Sequence, residues 1–350
     1  MHRIQRHVSV AFLAFLAFMV EGCLEIETTT KINSDGSIIR TVVMTGDSSS
    51  IYQRDFAVTV DSTWDTQIQQ IERNKFVRTA TKAFRDVGEM NKSLVGRKGR
   101  TVNIRADLER HFRWFFTTIR YRETWLNYNP FDAVPITDYI SPTELGYFIR
   151  HEVKKEPYAT RGDSLALKDA EERFVKWNNR NIFEVYFATF VEGVKKLNDR
   201  SLTVRYVAGL KEKLFEGSEK YFDSNNIDTV RIIFEHILKT PGVQKAMAAN
   251  SEGFHLFKEK LNFLHGIVGP NTYRTNVVMP GLIVNTNSSS IEGTKASWSD
   301  FIGFCYFTDF EMWVESKVTN WWAITLTGLF VTAIAVGFVL AAIRRRKPGA

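Results

Sequence analysis

The sequence predicts an α+β fold, with an antiparallel β-sheet framework, a large helical insertion and one transmembrane helix at the C-terminus. Three observations support this prediction. Apolar and polar residues alternate in residues 24–44 and again in 272–316, as they do in half-buried strands. Between residues 142 and 266 the apolar period changes to that of a helix. Residues 321–343 contain no charged side chain.

The N-terminus has the pattern of a lipoprotein-type secretory signal. Basic residues precede a short apolar run, VSVAFLAFLAFMV, which is shorter than a comfortable membrane span. The VEGC that follows resembles a bacterial lipobox, in which Cys23 becomes the acylated first residue of the mature protein. Glu21 stands where a small uncharged residue is usual, so an uncleaved signal anchor is the alternative. We therefore expect a signal peptide over residues 1–22 and lipidation at Cys23.

The C-terminus has the pattern of a single membrane span. Residues 320–343 are long enough to cross a hydrocarbon core of about 30 Å. Trp321 and Trp322 occupy the position of an interfacial aromatic belt. The cations of the 344–350 tail are expected to stay in the cytoplasm by the positive-inside rule, and they are Arg344, Arg345, Arg346 and Lys347. Both termini therefore predict a protein of the bacterial cytoplasmic membrane, doubly anchored and single-pass, whose bulk is extracytoplasmic.

The charge distribution argues against nucleic acid as a partner. The formal net charge is +7, but six cations lie in the two terminal segments. With these and Glu21 set aside, 40 cations face 38 anions. Because this balance leaves no basic excess for a phosphate-binding surface, we expect no nucleic acid.

Residues 23–140 are expected to form the first part of the α+β domain. Residues 24–32 and 37–44 predict a hairpin around Asp35-Gly36. Further strands are predicted at 75–81 and 101–106, and helical segments at 50–54, 64–73 and 84–94.

Residues 111–125 are the densest aromatic segment and predict one long strand. Phe112, Trp114 and Phe116 would share one face of it. Core packing against covering helices is one interpretation of these rings, and contact with lipid is the other.

Residues 141–266 predict a helical insertion. Its clearest helix is 182–197, with Asn181 as the predicted N-cap and Glu184 three residues later. The other predicted helices are 164–178, 203–222, 226–239 and 251–265.

Residues 267–319 would close the domain with strands at 272–285, 295–298 and 308–316. Because strands 24–32 and 308–316 adjoin the two predicted anchors, we expect them to be antiparallel neighbours in one sheet. The start of the first and the end of the second would then both face the bilayer.

These strand segments resemble a known family. Cys23-Leu24 leading into a hairpin with Asp35-Gly36 is similar to the start of the LppM-type lipoprotein domain, and Met279-Pro280-Gly281 followed by Trp298 is similar to its closing strands. The resemblance covers about half of the external region, and the helical insertion departs from it. It implies an α+β envelope domain that contacts lipids or glycolipids and has no catalytic residues.

The motifs of common catalytic and metal sites do not occur in this sequence. The seven histidines show no HExxH spacing, and GxSxG, GxGxxG and phosphate-loop patterns are missing. Cys305 lies within FIGFCYF and is expected to be a buried apolar residue. We therefore expect no enzyme activity, no cofactor and no metal.

Two functional hypotheses follow. The first is a membrane-proximal module that binds lipid, glycolipid or another hydrophobic envelope component. The second is a structural or assembly subunit whose helical insertion docks on an envelope protein partner. An apolar cavity would favour the first hypothesis, and an exposed apolar helix face would favour the second.

Overall fold

The computed structural model describes residues 24–52, 58–95, 102–154, 161–222, 227–268 and 272–345. The predicted signal peptide and Cys23 lie outside the described residues, as do Arg346 and Lys347.

The described chain confirms the α+β class, with its strands in two sheets. Sheet A has seven strands in the order β3-β4-β2-β1-β7-β10-β9. They are β1 Glu25–Ile32, β2 Ile38–Gly46, β3 Asp65–Glu72, β4 Lys75–Phe84, β7 Thr272–Val278, β9 Ser290–Glu292 and β10 Lys295–Ser299. Sheet B has four strands in the order β5-β6-β11-β8. They are β5 Ile104–Phe112, β6 Phe116–Trp125, β8 Leu282–Thr286 and β11 Phe310–Thr319. The pairing of β1 with β7 is parallel, so sheet A is mixed rather than antiparallel.

The helices of the described residues fall into three groups. Two short helices accompany the sheets, α1 Ser48–Tyr52 and α2 Val87–Ser93. A helical bundle lies between β6 and β7 in the chain: α3 Pro142–Lys154, α4 Arg161–Leu197, α5 Val204–Gly209, α6 Lys211–Phe222, α7 Ile227–Leu238, α8 Gly242–Ala249 and α9 Ser251–Val268. The apolar α10, Trp321–Arg345, ends the described chain.

The two sheets pack through alternating residues. In β2 every second residue is buried, beginning with Ile38, and in β6 the same holds from Ile119 to Trp125. This alternation is the expected signature of strands with one face in a core. Among the described residues, most of those that are buried are apolar, and two carry charge: Arg40 of β2 and Glu123 of β6.

Arg40 and Glu123 form a buried ion pair that joins sheet A to sheet B. Arg40 Nη1 donates to Glu123 Oε2 at 2.6 Å and Nη2 donates to Oε1 at 3.0 Å, with both side chains fully buried. The Tyr121 hydroxyl and the Trp125 indole N–H donate to the same carboxylate at 2.6 and 2.8 Å. Thr30 accepts a further bond from Arg40 at 3.1 Å. These partners satisfy the carboxylate, as a buried charge requires.

Burial raises the pKa of the Glu123 carboxyl, but the Arg40 charge and the hydrogen bonds from three side chains outweigh it, so the pKa is lowered. A carboxyl group whose pKa is lower in the folded than in the unfolded state stabilises the fold above its unfolded-state pKa. That stabilisation is lost as pH falls through the folded-state pKa.

The bundle packs against the end of the sheets through aromatic rings. Trp177 of α4 lies 5.3 Å from Tyr306, and Phe174 lies 5.0 Å from Phe307, both centroid to centroid. Asn181 is not the predicted N-cap, because α4 runs unbroken from Arg161 to Leu197. Its buried Oδ1 instead accepts from the backbone amides of Ala133 and Val134, at 2.7 and 3.0 Å.

Several predicted segments are corrected. Residues 65–72 form β3, not a helix, because they pair with β4 along an edge of sheet A. The predicted helices 164–178 and 182–197 are one helix of 37 residues, and 203–222 divides into α5 and α6. Helix α8 was not predicted. Cys305 is buried, as expected.

The predicted pairing of strands 24–32 and 308–316 is wrong, because β1 lies in sheet A and β11 in sheet B. Thr319 pairs with Phe116, so the β5–β6 turn lies at the end of the sheets next to α10, which we call the proximal end. Arg110 donates to the Asp35 carbonyl, which places the β1–β2 turn there too. Leu24 therefore lies at the opposite, distal end, separated by the eight residues of β1, or about 25 Å.

The first testable prediction concerns the buried ion pair. Glu123→Gln leaves the Arg40 charge buried without a counter-ion, so we expect a loss of about 3–5 kcal/mol in the free energy of unfolding. The measurement is urea denaturation of the detergent-solubilised chain at pH 7. Arg122→Gln is the matched control, because Arg122 lies next to Glu123 in β6 and forms partly exposed pairs with Asp107 and Glu109 of β5. It should cost below about 1 kcal/mol.

Two further measurements test whether the unpaired charge of Arg40 causes this loss of stability. The double variant Arg40→Met with Glu123→Leu should recover most of the loss, because it removes both charges. The difference between wild type and Glu123→Gln should shrink as pH falls through the folded-state pKa of Glu123. Equal stabilities of Glu123→Gln and Arg122→Gln would contradict the assignment.

Candidate membrane-contact site

The aromatic segment 111–125 is a hairpin and not the single long strand that its pattern predicts. β5 ends at Phe112 and β6 begins at Phe116, with Arg113, Trp114 and Phe115 in the turn. The aromatic run hides this turn, because it contains neither Gly nor Pro. As a result, Phe112, Trp114 and Phe116 do not share one strand face but surround the turn at the proximal end.

Asn320, the residue before α10, ties this turn to the apolar helix. Its side-chain Nδ2 donates to the carbonyls of Arg113 and Trp114 at 2.7 and 3.3 Å, and its backbone N–H donates to the Phe115 carbonyl at 2.9 Å. Its Oδ1 accepts from the Thr117 hydroxyl at 3.1 Å. The carbonyl groups of the turn thereby receive hydrogen bonds from the residue directly before α10.

Five aromatic residues gather around this junction, and we call them the aromatic cluster: Phe112, Trp114, Phe115, Trp321 and Trp322. Trp322 stacks on Phe112 with centroids 6.2 Å apart, and it meets Trp114 edge-on at 5.4 Å. Each member is between 47% and 72% exposed. Exposed apolar surface of this concentration marks an interaction site.

The Trp114 indole lies alongside α10. Its Nε1 donates to Thr327 Oγ1 at 2.9 Å, six residues after the helix begins. At 1.5 Å per residue, the indole N–H is about 9 Å along the helix axis. The turn therefore extends past the start of α10.

α10 is long and apolar enough to span a membrane. Its span Trp321–Arg344 has 24 residues, and none of its most apolar window is buried inside the protein. A core helix of a soluble protein would be mostly covered. Arg344 is exposed at the far end of this span, and Arg345 ends the helix.

Two further residues complete the proximal end. Phe116 is half-buried beneath Lys317, whose Nζ lies 5.0 Å from the ring centroid. Leu282, at the edge of sheet B, is 70% exposed and pairs with Lys317. Sequence reasoning missed Phe115 and Leu282, because an exposed apolar residue has the same pattern as a buried one.

Two depressions near the bundle do not suit an acyl chain. A groove of about 510 Å³ is open to solvent and has Asp138, Arg180 and Glu184 in its wall. An apolar space beside Phe148 and Phe174 has a volume of about 10 Å³. Neither could enclose a lipid tail. Among the described residues, no group of three or more His, Cys, Asp or Glu side chains could hold a metal ion.

Comparison with known proteins gives one weak similarity. No protein-family model matches the chain, and no curated protein matches it. The chain is similar to the NMR structure of the folded domain of LppM from Mycobacterium tuberculosis, with 7% sequence identity and a TM-score of 0.29. The match covers 86% of this chain and 94% of that one. At this score the likeness supports no conclusion about fold or function.

The second testable prediction concerns Asn320. Asn320→Ala leaves the carbonyls of Arg113 and Trp114 without donors, so the turn should open from α10 more often. We expect amide hydrogen exchange at Arg113 and Asn320 to accelerate by about 10- to 100-fold, the equivalent of roughly 1–3 kcal/mol. Thr325→Val removes a hydrogen bond that stays within α10 and serves as the control. Unchanged exchange in Asn320→Ala would contradict the prediction.

Proposed function

We propose that this chain is a non-catalytic, membrane-anchored protein of the bacterial envelope that contacts lipid through its aromatic cluster. α10 crosses the bilayer, the sheets stand on the membrane surface at their proximal end, and the bundle is presented away from it. The observation that carries the proposal is the attachment of the exposed aromatic turn to α10 by Asn320 and Thr327.

The dimensions support this arrangement. The 24-residue span is about 36 Å long, which exceeds a hydrocarbon core by about 6 Å. With Arg344 at the inner edge of the core, Thr327 lies 17 residues or about 25 Å further along the helix, which places it about 5 Å inside the outer edge of the core. The Trp114 indole then lies just below the boundary between headgroups and acyl chains, close to the level where Trp is preferred.

An apolar cavity would have favoured our first hypothesis, but we propose that the protein contacts lipid at its surface instead. Arg40, Trp125 and Trp298 are among the side chains that fill the interior, and neither depression suits an acyl chain. The proposed ligand is therefore the bilayer itself and not an extracted lipid.

The position of Leu24 bears on whether Cys23 and α10 could both be anchored in the same bilayer. It is buried at the distal end, where its carbonyl accepts from the Thr272 amide at 3.1 Å. A lipid on Cys23 could enter the bilayer that α10 crosses only if the sheets lay flat on it. Acylation of Cys23 stays a prediction, and the anchor that we propose for this bilayer is α10 alone.

The third testable prediction places Trp114 in the bilayer interface. In full-length protein reconstituted with brominated phosphatidylcholine, the exposed indoles Trp114, Trp321 and Trp322 should be quenched. Trp114→Phe should lower the quenchable fluorescence by about a third, since one of three interfacial indoles is lost. Trp313→Phe is the control, because Trp313 pairs with Arg122 in the middle of sheet B. Equal quenching of both variants would contradict the proposed orientation.

The alternative function is an assembly subunit that docks through the bundle. Ile232 of α7 and Leu256 of α9 are 53% and 52% exposed, and apolar side chains of this kind could contact a protein partner.

The fourth testable prediction separates the alternatives. If the bundle docks on a partner, a photocrosslinking residue at Ile232 or Leu256 should yield one defined adduct in whole cells. The same residue at Lys213, an exposed polar position of α6, should yield none. Recovery of the monomer alone from all three positions would reject the assembly function and leave the lipid-contact function standing.

A further inference from the structure

Three cations surround the aromatic cluster. Arg113 lies in the β5–β6 turn itself, where its backbone carbonyl is held by Asn320. Lys317 stands on the outer face of sheet B above Phe116. Arg110 reaches from the inner face of the same sheet to the Asp35 carbonyl, at 3.0 Å. The cations therefore flank the cluster on both faces of sheet B and at its tip.

Neighbouring carboxylates compensate these charges only in part. Glu109 pairs with Arg122, and the Asp35 carboxylate, which accepts from the amide and hydroxyl of Ser37 at 2.9 and 2.7 Å, lies near Arg110 but forms no ion pair with it in the described structure. Within the described part of the chain, Arg113 and Lys317 form no ion pair. A local positive excess therefore remains around the start of α10, although the external region as a whole is almost neutral.

The depth of these cations suits lipid phosphates. Lys317 is four residues before Trp321, and Arg113 precedes Trp114 directly. Arg113 therefore lies beside the proposed headgroup layer. Lys317 lies up to about 13 Å of extended chain from Trp321, and its Nζ is directed over Phe116, the partner of Thr319, and so toward that layer. Long cationic side chains at that level extend toward phosphate oxygens while their methylene groups cover apolar surface.

We propose that Arg110, Arg113 and Lys317 bind the phosphate groups of anionic phospholipids in the leaflet that faces the sheets. This inference rests on the proposed function, because it assumes that the aromatic cluster lies in the bilayer interface. It adds a charge preference to a contact that aromatic rings alone would make with any phospholipid.

The test uses the full chain in vesicles of one fixed mixture of phosphatidylglycerol and phosphatidylcholine. Bromine is carried either by the phosphatidylglycerol or by an equal molar amount of the phosphatidylcholine, so the surface charge is identical in both samples. We expect the wild type to show about a threefold to tenfold preference for phosphatidylglycerol, derived from the two quenching values. Added salt should reduce this preference.

The test variant combines three substitutions: Arg110→Gln, Arg113→Gln and Lys317→Gln. It should lose the preference for phosphatidylglycerol, but brominated lipid should still quench its tryptophan fluorescence. The control is a triple variant that removes three exposed charges from the distal bundle: Arg200→Gln, Lys213→Gln and Lys258→Gln. This control should keep the preference for phosphatidylglycerol. The single variant Lys317→Gln, in which the other two cations remain, should lose part of the preference and guards against misfolding of the triple variant.

The outcomes separate this inference from the proposed function. Equal quenching of the wild type by both brominated lipids would overturn the anionic preference and leave the interfacial contact in place. Absence of quenching by either lipid would overturn both. A preference that survives in the Arg110, Arg113, Lys317 triple variant would assign the selectivity to other residues and overturn this proposal.

Discussion

The buried pair of Arg40 and Glu123 is the constraint on which the arrangement of the two sheets depends. It lies at full burial between β2 and β6, and each partner needs the other to avoid an uncompensated charge in the core. A shift of either strand by one residue would turn its charge to the outer face, since side chains alternate. The ion pair therefore selects one register between sheets whose other inner residues are mainly apolar and could pack in several ways.

The candidate site follows from that register. Because sheet B is fixed against sheet A, the β5–β6 turn and the β1–β2 turn lie at the same end, and β11 delivers α10 to that end. Asn320 lies between β11 and α10, and its side chain forms hydrogen bonds with the β5–β6 turn and with Thr117. The chemistry of the site is that of an interface: exposed rings, a helix of spanning length, and cations beside them. The helical bundle contributes nothing to this end, because it leaves and rejoins the sheets at the distal one.

Contacts other than the ion pair fix the position of the helical bundle. Phe174 and Trp177 pack on Phe307 and Tyr306, so aromatic contacts hold it on the distal end of the sheets. Asn181 fixes the entering segment by accepting two backbone amides. A buried Asn in the middle of a long helix has the same local sequence as an N-cap, which explains why its position was mistaken.

The sequence by itself determined the α+β class, the alternating strands and the apolar C-terminal helix, because these follow from the periodicity and composition of contiguous residues. It also placed Trp321, Trp322 and Arg344 at the two ends of that helix. It also predicted the hairpin of β1 and β2. Only the tertiary structure decided which other strands are neighbours, that Leu24 lies at the opposite end from α10, and that Phe112, Trp114 and Phe115 gather at a turn. Strand order and the partners of Asn320 depend on contacts between residues up to about 200 positions apart. Periodicity reports which face of a segment is apolar, but not what that face meets.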